Sequence, residues 1–213
     1  ASSEIYNATI EHHGPYLHGT GAPYVNDPSG KLVLFDPLTP PAPFPQVPIG
    51  FSNQGAYISE FGCVGMSSSF SMDATLSPEN RDLHSVAMMQ RNYPCDNLLD
   101  VYFGGVSQNW TLSLYACNMA QMLHLSGEIA NFRVLNMFGL QIWQLNEIWP
   151  TGGWGTLETA SAAIPRGGQI VGGRWKPLHY ALRDYLYRDS FISCDSSARC
   201  FLRFDASDYA GQG

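Results

Sequence analysis

The sequence predicts an α/β fold of the (β/α)₈ barrel type. Residues 53–63 read NQGAYISEFGC and residues 141–150 read QIWQLNEIWP, so two short apolar runs each deliver a polar cluster at the C-terminal end. Barrel strands hand residues to a site in this way, because reacting groups sit where the strands end, at the face built from the βα loops. Between the two runs lies the longest periodic segment, residues 111–136. Its Leu112, Tyr115, Met119, Met122, Leu125, Ile129 and Phe132 are spaced three or four apart, the pattern of an amphipathic helix packing on a sheet. The methionines in that stripe read as core filling rather than as a cofactor box.

The elements follow in order. Residues 1–53 are rich in Gly, Pro and Asn, most of all at 38–48, LTPPAPFPQVP, which cannot pair as a central strand and reads as a long loop over a barrel mouth. The run at 56–61 is the first convincing strand. A Ser-rich stretch at 67–77 breaks regularity, and SPEN at 77–80 offers a helix cap ahead of Leu83, Val86 and Met89. Residues 138–145 form the second strand, apolar on both faces as a parallel barrel strand should be. Pro177 opens a short helix with Leu178, Leu182 and Leu186 on one face. From Phe191 onward the alternation switches to period two. A domain boundary therefore falls near residue 190, dividing 1–190 from 191–213.

Composition narrows the function. With 11 Lys and Arg and a net charge of −7, the chain has no basic stripe to neutralise phosphates, which argues against nucleic acid as a partner. No apolar run reaches the roughly 18 residues of a spanning helix, so no membrane span is expected. The N-terminus lacks the basic and apolar regions of a signal peptide, so a leader has been removed or lay on a part of the precursor not present. Five cysteines include no C-x-x-C pair, which speaks against zinc and thioredoxin chemistry. Cys194 and Cys200 bracket a polar turn between two strand-like runs and read as a hairpin staple. Cys63, Cys95 and Cys117 cannot then all pair among themselves. Two acceptor sequons, at Asn7 and Asn109, point with the staple to a secreted or a lysosomal or vacuolar compartment.

The residue that chemistry singles out is Glu60. A carboxylate on a buried strand is costly unless it is paired or used, because desolvation opposes its ionised form. SEFG at 59–62, WQLNEIWP at 143–150 and GGRWKPLHY at 172–180 together resemble, in order and approximate spacing, the C-terminal part of the catalytic barrel of a β-mannosidase of glycoside hydrolase family 2. RNYPCDNLLDVYFG at 91–104 resembles the segment such enzymes carry between their last two barrel strands. HGPYLHGTG at 13–21 is similar to the strand and loop before the nucleophile. The resemblance implies the C-terminal portion of a (β/α)₈ barrel followed by the start of a β-sandwich domain. A complete barrel needs about 250 residues, more than the 213 here.

By the same resemblance Glu60 takes the position of the nucleophile of a retaining exo-β-mannosidase, forming a glycosyl ester that water then hydrolyses. The acid/base belongs to an earlier strand. Glu147, although preceded by Asn146, corresponds to a site without that role. Trp143 is placed to stack on a pyranose, Asn146 to donate to a sugar hydroxyl and Trp149 to wall the site, each with a structural reading beside it. His12, His13 and His18 lack metal-ligand spacing, so no metal or cofactor is expected; His13 and Tyr16 read instead as sugar contacts on a polar loop. Tyr57, Arg91 and Arg174 read as structural. The implied partners are a β-mannoside or related oligosaccharide and the N-terminal remainder of the same enzyme. The alternative is a non-catalytic carbohydrate-binding or structural glycoprotein that keeps the fold without the acid/base. A Ser or Cys hydrolase is disfavoured, since no local nucleophile signature is visible.

Overall fold

A computed structural model of the chain describes residues 11–17, 57–91, 95–105, 108–134, 137, 139–159, 173–194, 198 and 200–205. In chain order the elements are β1 (Glu11–Leu17), β2 (Tyr57–Cys63), β3 (Gly65–Met66), α1 (Ser69–Met72), α2 (Val86–Arg91) and α3 (Asp96–Phe103). They continue with α4 (Trp110–Val134), β4 (Gly139–Ile142), β5 (Gly152–Gly153), α5 (Pro177–Ala181), β6 (Ser190–Cys194) and β7 (Cys200–Phe204). β1, β2 and β4 form a sheet in that order, and both pairings are parallel. The 25-residue α4 lies in the crossover from β2 to β4. Parallel neighbours joined through a helix are the repeating unit of an α/β barrel.

Strand β2 is central because its sequence suits burial on both sides. Ile58 and Phe61 are fully buried, and the Phe61 ring meets Phe132 of α4 edge-on at 5.3 Å. Each such burial is worth roughly 1.5–3 kcal/mol. Alternation along the strand sends Glu60, next to Phe61, to the opposite face.

Several sequence expectations need correction. The first described strand is β1, inside the stretch that composition reads as loop but that the resemblance at 13–21 gives as a strand and loop. Its Gly14 and Pro15 disguise it, and the register to β2 slips between His13 and Tyr16, where those two residues lie. An outer strand tolerates a proline that a central one would not. β4 is shorter than expected and not buried on both faces: Gln141 is exposed and Leu140 and Ile142 are half-buried. It too is an outer strand among the described residues. SPEN forms a separate 3₁₀ turn, Pro78–Asn80. The cap of α2 is Ser85, whose Oγ accepts the Met88 N–H at 3.3 Å, and Val86 and Met89 are exposed. The apolar stripe of α4 begins one position off, since Leu112 and Tyr115 are exposed while Ser113, Leu114, Cys117, Asn118 and Gln121 are buried.

Polar residues on that buried face explain the shift. Asn118 Oδ1 accepts the Met66 N–H at 3.0 Å, and Gln121 Nε2 donates to the Cys63 carbonyl at 2.8 Å. Both satisfy main-chain groups just where β2 ends and cannot continue its ladder. Cys117 is bonded to Cys95 at the start of α3, and Cys194 to Cys200 across the β6–β7 hairpin with Cα atoms 3.9 Å apart. Cys63 is a buried free thiol. Pro177 opens α5 as the sequence predicts, with Leu178, Leu182 and Leu186 buried.

The hairpin is held to the preceding elements through Arg133. Its guanidinium donates to the carbonyls of Leu186 (2.7 Å) and Arg188 (2.8 Å) and to Asp205 (2.7 Å), while its charge lies 4.3 Å from the centre of the Phe191 ring. Arg203 of β7 returns a bond to the Arg133 carbonyl at 3.3 Å. Among the described residues no helix is long and apolar enough to cross a membrane.

Candidate active site

Adjacent parallel strands bring three of the singled-out residues together. His13 and Glu60 are register partners across β1 and β2, and Tyr16 lies opposite Gly62 toward the C-terminal end of the pair. The Tyr16 hydroxyl donates to Glu60 Oε1. It also meets His13 Nε2 at 2.8 Å, and the other ring nitrogen, Nδ1, lies 3.3 Å from Ser59 Oγ. Because the phenol spends its proton on the carboxylate, His13 Nε2 must carry the proton it offers to the phenol oxygen, leaving Nδ1 to face the serine hydroxyl. The result is a chain from Ser59 through His13 and Tyr16 to one oxygen of Glu60.

Electrostatics fix the direction of that chain. The Tyr16 phenol is pushed up to about 12, first by burial and then by its hydrogen bond to Glu60 and the charge there. It therefore remains a donor throughout the physiological range. Glu60 keeps 29% of its side chain exposed and His13 60%, so the carboxylate is both held and reachable. Among the described residues no group of three or more His, Cys, Asp and Glu side chains could hold a metal ion.

Trp143 follows β4 directly. Its main-chain N–H donates to the Phe61 carbonyl at 2.7 Å, which places it beside the residue after Glu60, and the residue is 43% exposed. The peptide bond to Gln144 is cis. Gly62 is required here: a Cβ would lie 2.4 Å from the Trp143 carbonyl oxygen and 3.1 Å from the Trp154 ring. Asn146 turns away into its own loop, donating to the Glu147 carbonyl at 3.0 Å and bridging to Leu157. Trp149 stands 40% exposed in the same loop.

Glu147 is occupied elsewhere. Its Oε1 accepts from Lys176 Nζ at 2.6 Å and from the Gly155 N–H at 2.9 Å, with both charged side chains essentially buried. An isolated buried charge is so unfavourable that this pair is a structural pin rather than an available acid.

Sequence reasoning did not single out Ser59, which meets His13, or Trp154, whose ring meets that of Tyr16. Ser59 was visible inside SEFG, where a hydroxyl beside the carboxylate was open to weighing. Trp154 carried no signal. Of the two sequons, Asn7 lies outside the described residues, as do His18 and the proline-rich run at 38–48. Asn109 is exposed, and its Oδ1 accepts the Leu112 N–H at 2.9 Å, capping α4.

No family model matches the chain. It is 26% identical over 180 residues to a protein named β-mannosidase A from Aspergillus terreus (strain NIH 2624 / FGSC A1156), covering 70% of this chain and 17% of the relative. It is 30% identical over 110 residues to β-mannosidase A from Aspergillus oryzae (strain ATCC 42149 / RIB 40), covering 49% of this chain and 10% of that relative. Among solved structures, a β-D-mannosidase from Dictyoglomus thermophilum superposes with a TM-score of 0.55 at 19% identity, over 70% of this chain and 18% of that one. The chain thus spans less than a fifth of the length of the relatives it matches. The similarity to β-mannosidases extends over about 70% of its own length.

Proposed function

We propose that this chain is the nucleophile-bearing part of a retaining glycoside hydrolase that removes terminal β-mannosides from oligosaccharides or glycoconjugates. The observation that carries the reading is the reachable Glu60 carboxylate, held by the Tyr16 phenol, on adjoining parallel strands. The similarity to β-mannosidases supports the same class.

In the first step a Glu60 oxygen forms a bond to the anomeric carbon while the glycosidic carbon–oxygen bond breaks, and a second carboxyl gives its proton to the departing oxygen. That second carboxyl belongs to the preceding, N-terminal part of the enzyme. In the second step it takes a proton from water, whose oxygen displaces Glu60 from the sugar. Tyr16 orients the attacking carboxylate and holds its negative charge until the bond to the anomeric carbon neutralises it. Trp143, exposed and bonded through its main chain to the residue after Glu60, offers a face to the sugar's C–H surface, while His13 sets the phenol's direction. Asn146 and Trp149 lie in the loop that follows Trp143. Asn109, exposed at a helix start, is the described glycan acceptor, in keeping with a secreted or lysosomal setting.

The test is trapping. A 2-deoxy-2-fluoro-β-mannosyl fluoride should label the peptide containing Ser59, Glu60 and Phe61, and Glu60→Gln should abolish both labelling and turnover while keeping the melting temperature. A label on Glu147 would reverse the assignment of the two carboxylates.

A further inference from the structure

We infer that Trp154 is a positioning residue of this site, holding Tyr16 at the angle from which it can reach Glu60. The inference rests on the functional reading of Glu60 above. Its evidence is a separate set of contacts.

The indole meets the Tyr16 ring edge-on, with centroids 5.8 Å apart and planes at 87°. Such a contact is directional, because the positive edge of one ring seeks the negative face of the other. It acts on the tilt of the phenol ring, where the hydrogen bonds to Glu60 and His13 act on its hydroxyl. Opposite Tyr16, the indole lies over Gly62, two residues past Glu60, where the missing side chain gives it room.

The backbone around Trp154 is pinned more firmly than a surface loop needs. Its carbonyl accepts from the Gln144 N–H at 3.1 Å and from Gln121 Nε2 at 3.4 Å. Gln121 is the same side chain that clamps the end of β2 through Cys63. On the next residue, the Gly155 N–H is held by Glu147, itself fixed by Lys176. Gly153 on the other side is tied to Gly65 as a strand partner, and a Cβ there would lie 2.4 Å from Glu147 Oε2. Both flanking glycines are buried. From this held backbone the indole meets the residue that donates to Glu60. The buried pair of Glu147 and Lys176 thereby acquires a role in the site without touching substrate.

Positioning and sugar contact make different predictions, since a group that only orients Tyr16 changes turnover and a group that binds sugar changes affinity. In the full-length protein, Trp154→Leu should lower kcat roughly tenfold, the order expected for losing one aromatic pair, and leave KM within about twofold. Trp154→Phe, which keeps an edge, should restore most of kcat. An activity-independent readout is the ¹³Cζ resonance of Tyr16, assigned through Tyr16→Phe. The wild-type phenol should titrate near 12, and Trp154→Leu should move that midpoint down toward 10 while Trp154→Phe holds it. A rise in KM with kcat unchanged would make Trp154 a sugar contact and overturn the inference, as would an unmoved Tyr16 titration in a folded Leu variant. If the wild-type protein shows no turnover of 4-nitrophenyl β-mannoside and takes no label, the functional reading fails. The Tyr16 titration then still decides whether Trp154 positions the phenol.

Discussion

Glu60 and Glu147 follow similar short apolar runs, and their surroundings send them to opposite fates. Glu60 retains solvent access and a neutral donor, whereas Glu147 is sealed against an ammonium. Removing one member of such a pair leaves the other buried and uncompensated, so Lys176→Met should cost about 3–5 kcal/mol in chemical denaturation. Adding Glu147→Gln to it should recover part of the loss, an outcome a catalytic Glu147 would not give. A third glutamate has a pH signature. Burial pushes the Glu128 carboxyl above its usual range, against the pull of the His124 hydrogen bond and charge, and its Oε2 has no partner among the described residues. The folded state thus holds that proton more tightly than the unfolded chain does. Its contribution to stability is full below the ordinary carboxylate range and is lost as pH rises through the folded value. Glu128→Gln should accordingly flatten the fall in melting temperature as pH rises above about 4.5, measured by calorimetry; an unchanged slope would assign that dependence to other groups. At this scale Glu60 was legible as a carboxylate where an apolar run would be expected, and His13 and Tyr16 only as sugar contacts on a polar loop, not as neighbours of Glu60 across two strands. Trp154 was not legible, since its place follows from how Glu147 folds the loop around itself.

Helix α4 shows where periodicity misleads. Counting apolar residues points its first turns toward Leu112 and Tyr115, yet the packed face is Leu114, Cys117, Asn118 and Gln121. Two of those four are polar, so a pattern based on hydrophobicity cannot find them. They are buried because β2 ends beneath the helix with main-chain groups that need partners. Beyond that point the expected stripe and the buried face converge at Leu125, Ile129 and Phe132. Gln121 is bound to Cys63 and Trp154 together, and Gln121→Ala should cost about 1–3 kcal/mol by removing the buried donor to the Cys63 carbonyl. Denaturant titration measures that loss, and a neutral result would show that the helix does not clamp the strand end. The strands were legible as βα units wherever they were apolar. β1 was hidden by Gly14 and Pro15, which an outer strand accommodates.

Across the whole molecule, the sheet order β1–β2–β4 leaves β1 and β4 each with one neighbour among the described residues. Parallel strands with an open side are poor isolated structures and invite pairing. If the functional proposal is right, the 23.5 kDa chain should be inactive alone and should work together with a segment that supplies further strands and the acid/base. Native mass measurement, followed by assay before and after separating any companion chain, tests this; an active species of that mass would overturn it. Residue 190, where the sequence changes period, is where β6 begins, but the change of pattern does not coincide with a break in bonding. Arg133, at the end of α4, is bonded on both sides of it, to Leu186 and Arg188 and also to Asp205 beyond the hairpin. Shortening the chain at residue 189 would strip a buried guanidinium of its carboxylate and of the Phe191 ring. The last turn of α4 and the β6–β7 hairpin therefore form one cooperative opening unit, and their slowest amide protons should exchange with a common free energy and respond together to Asp205→Asn.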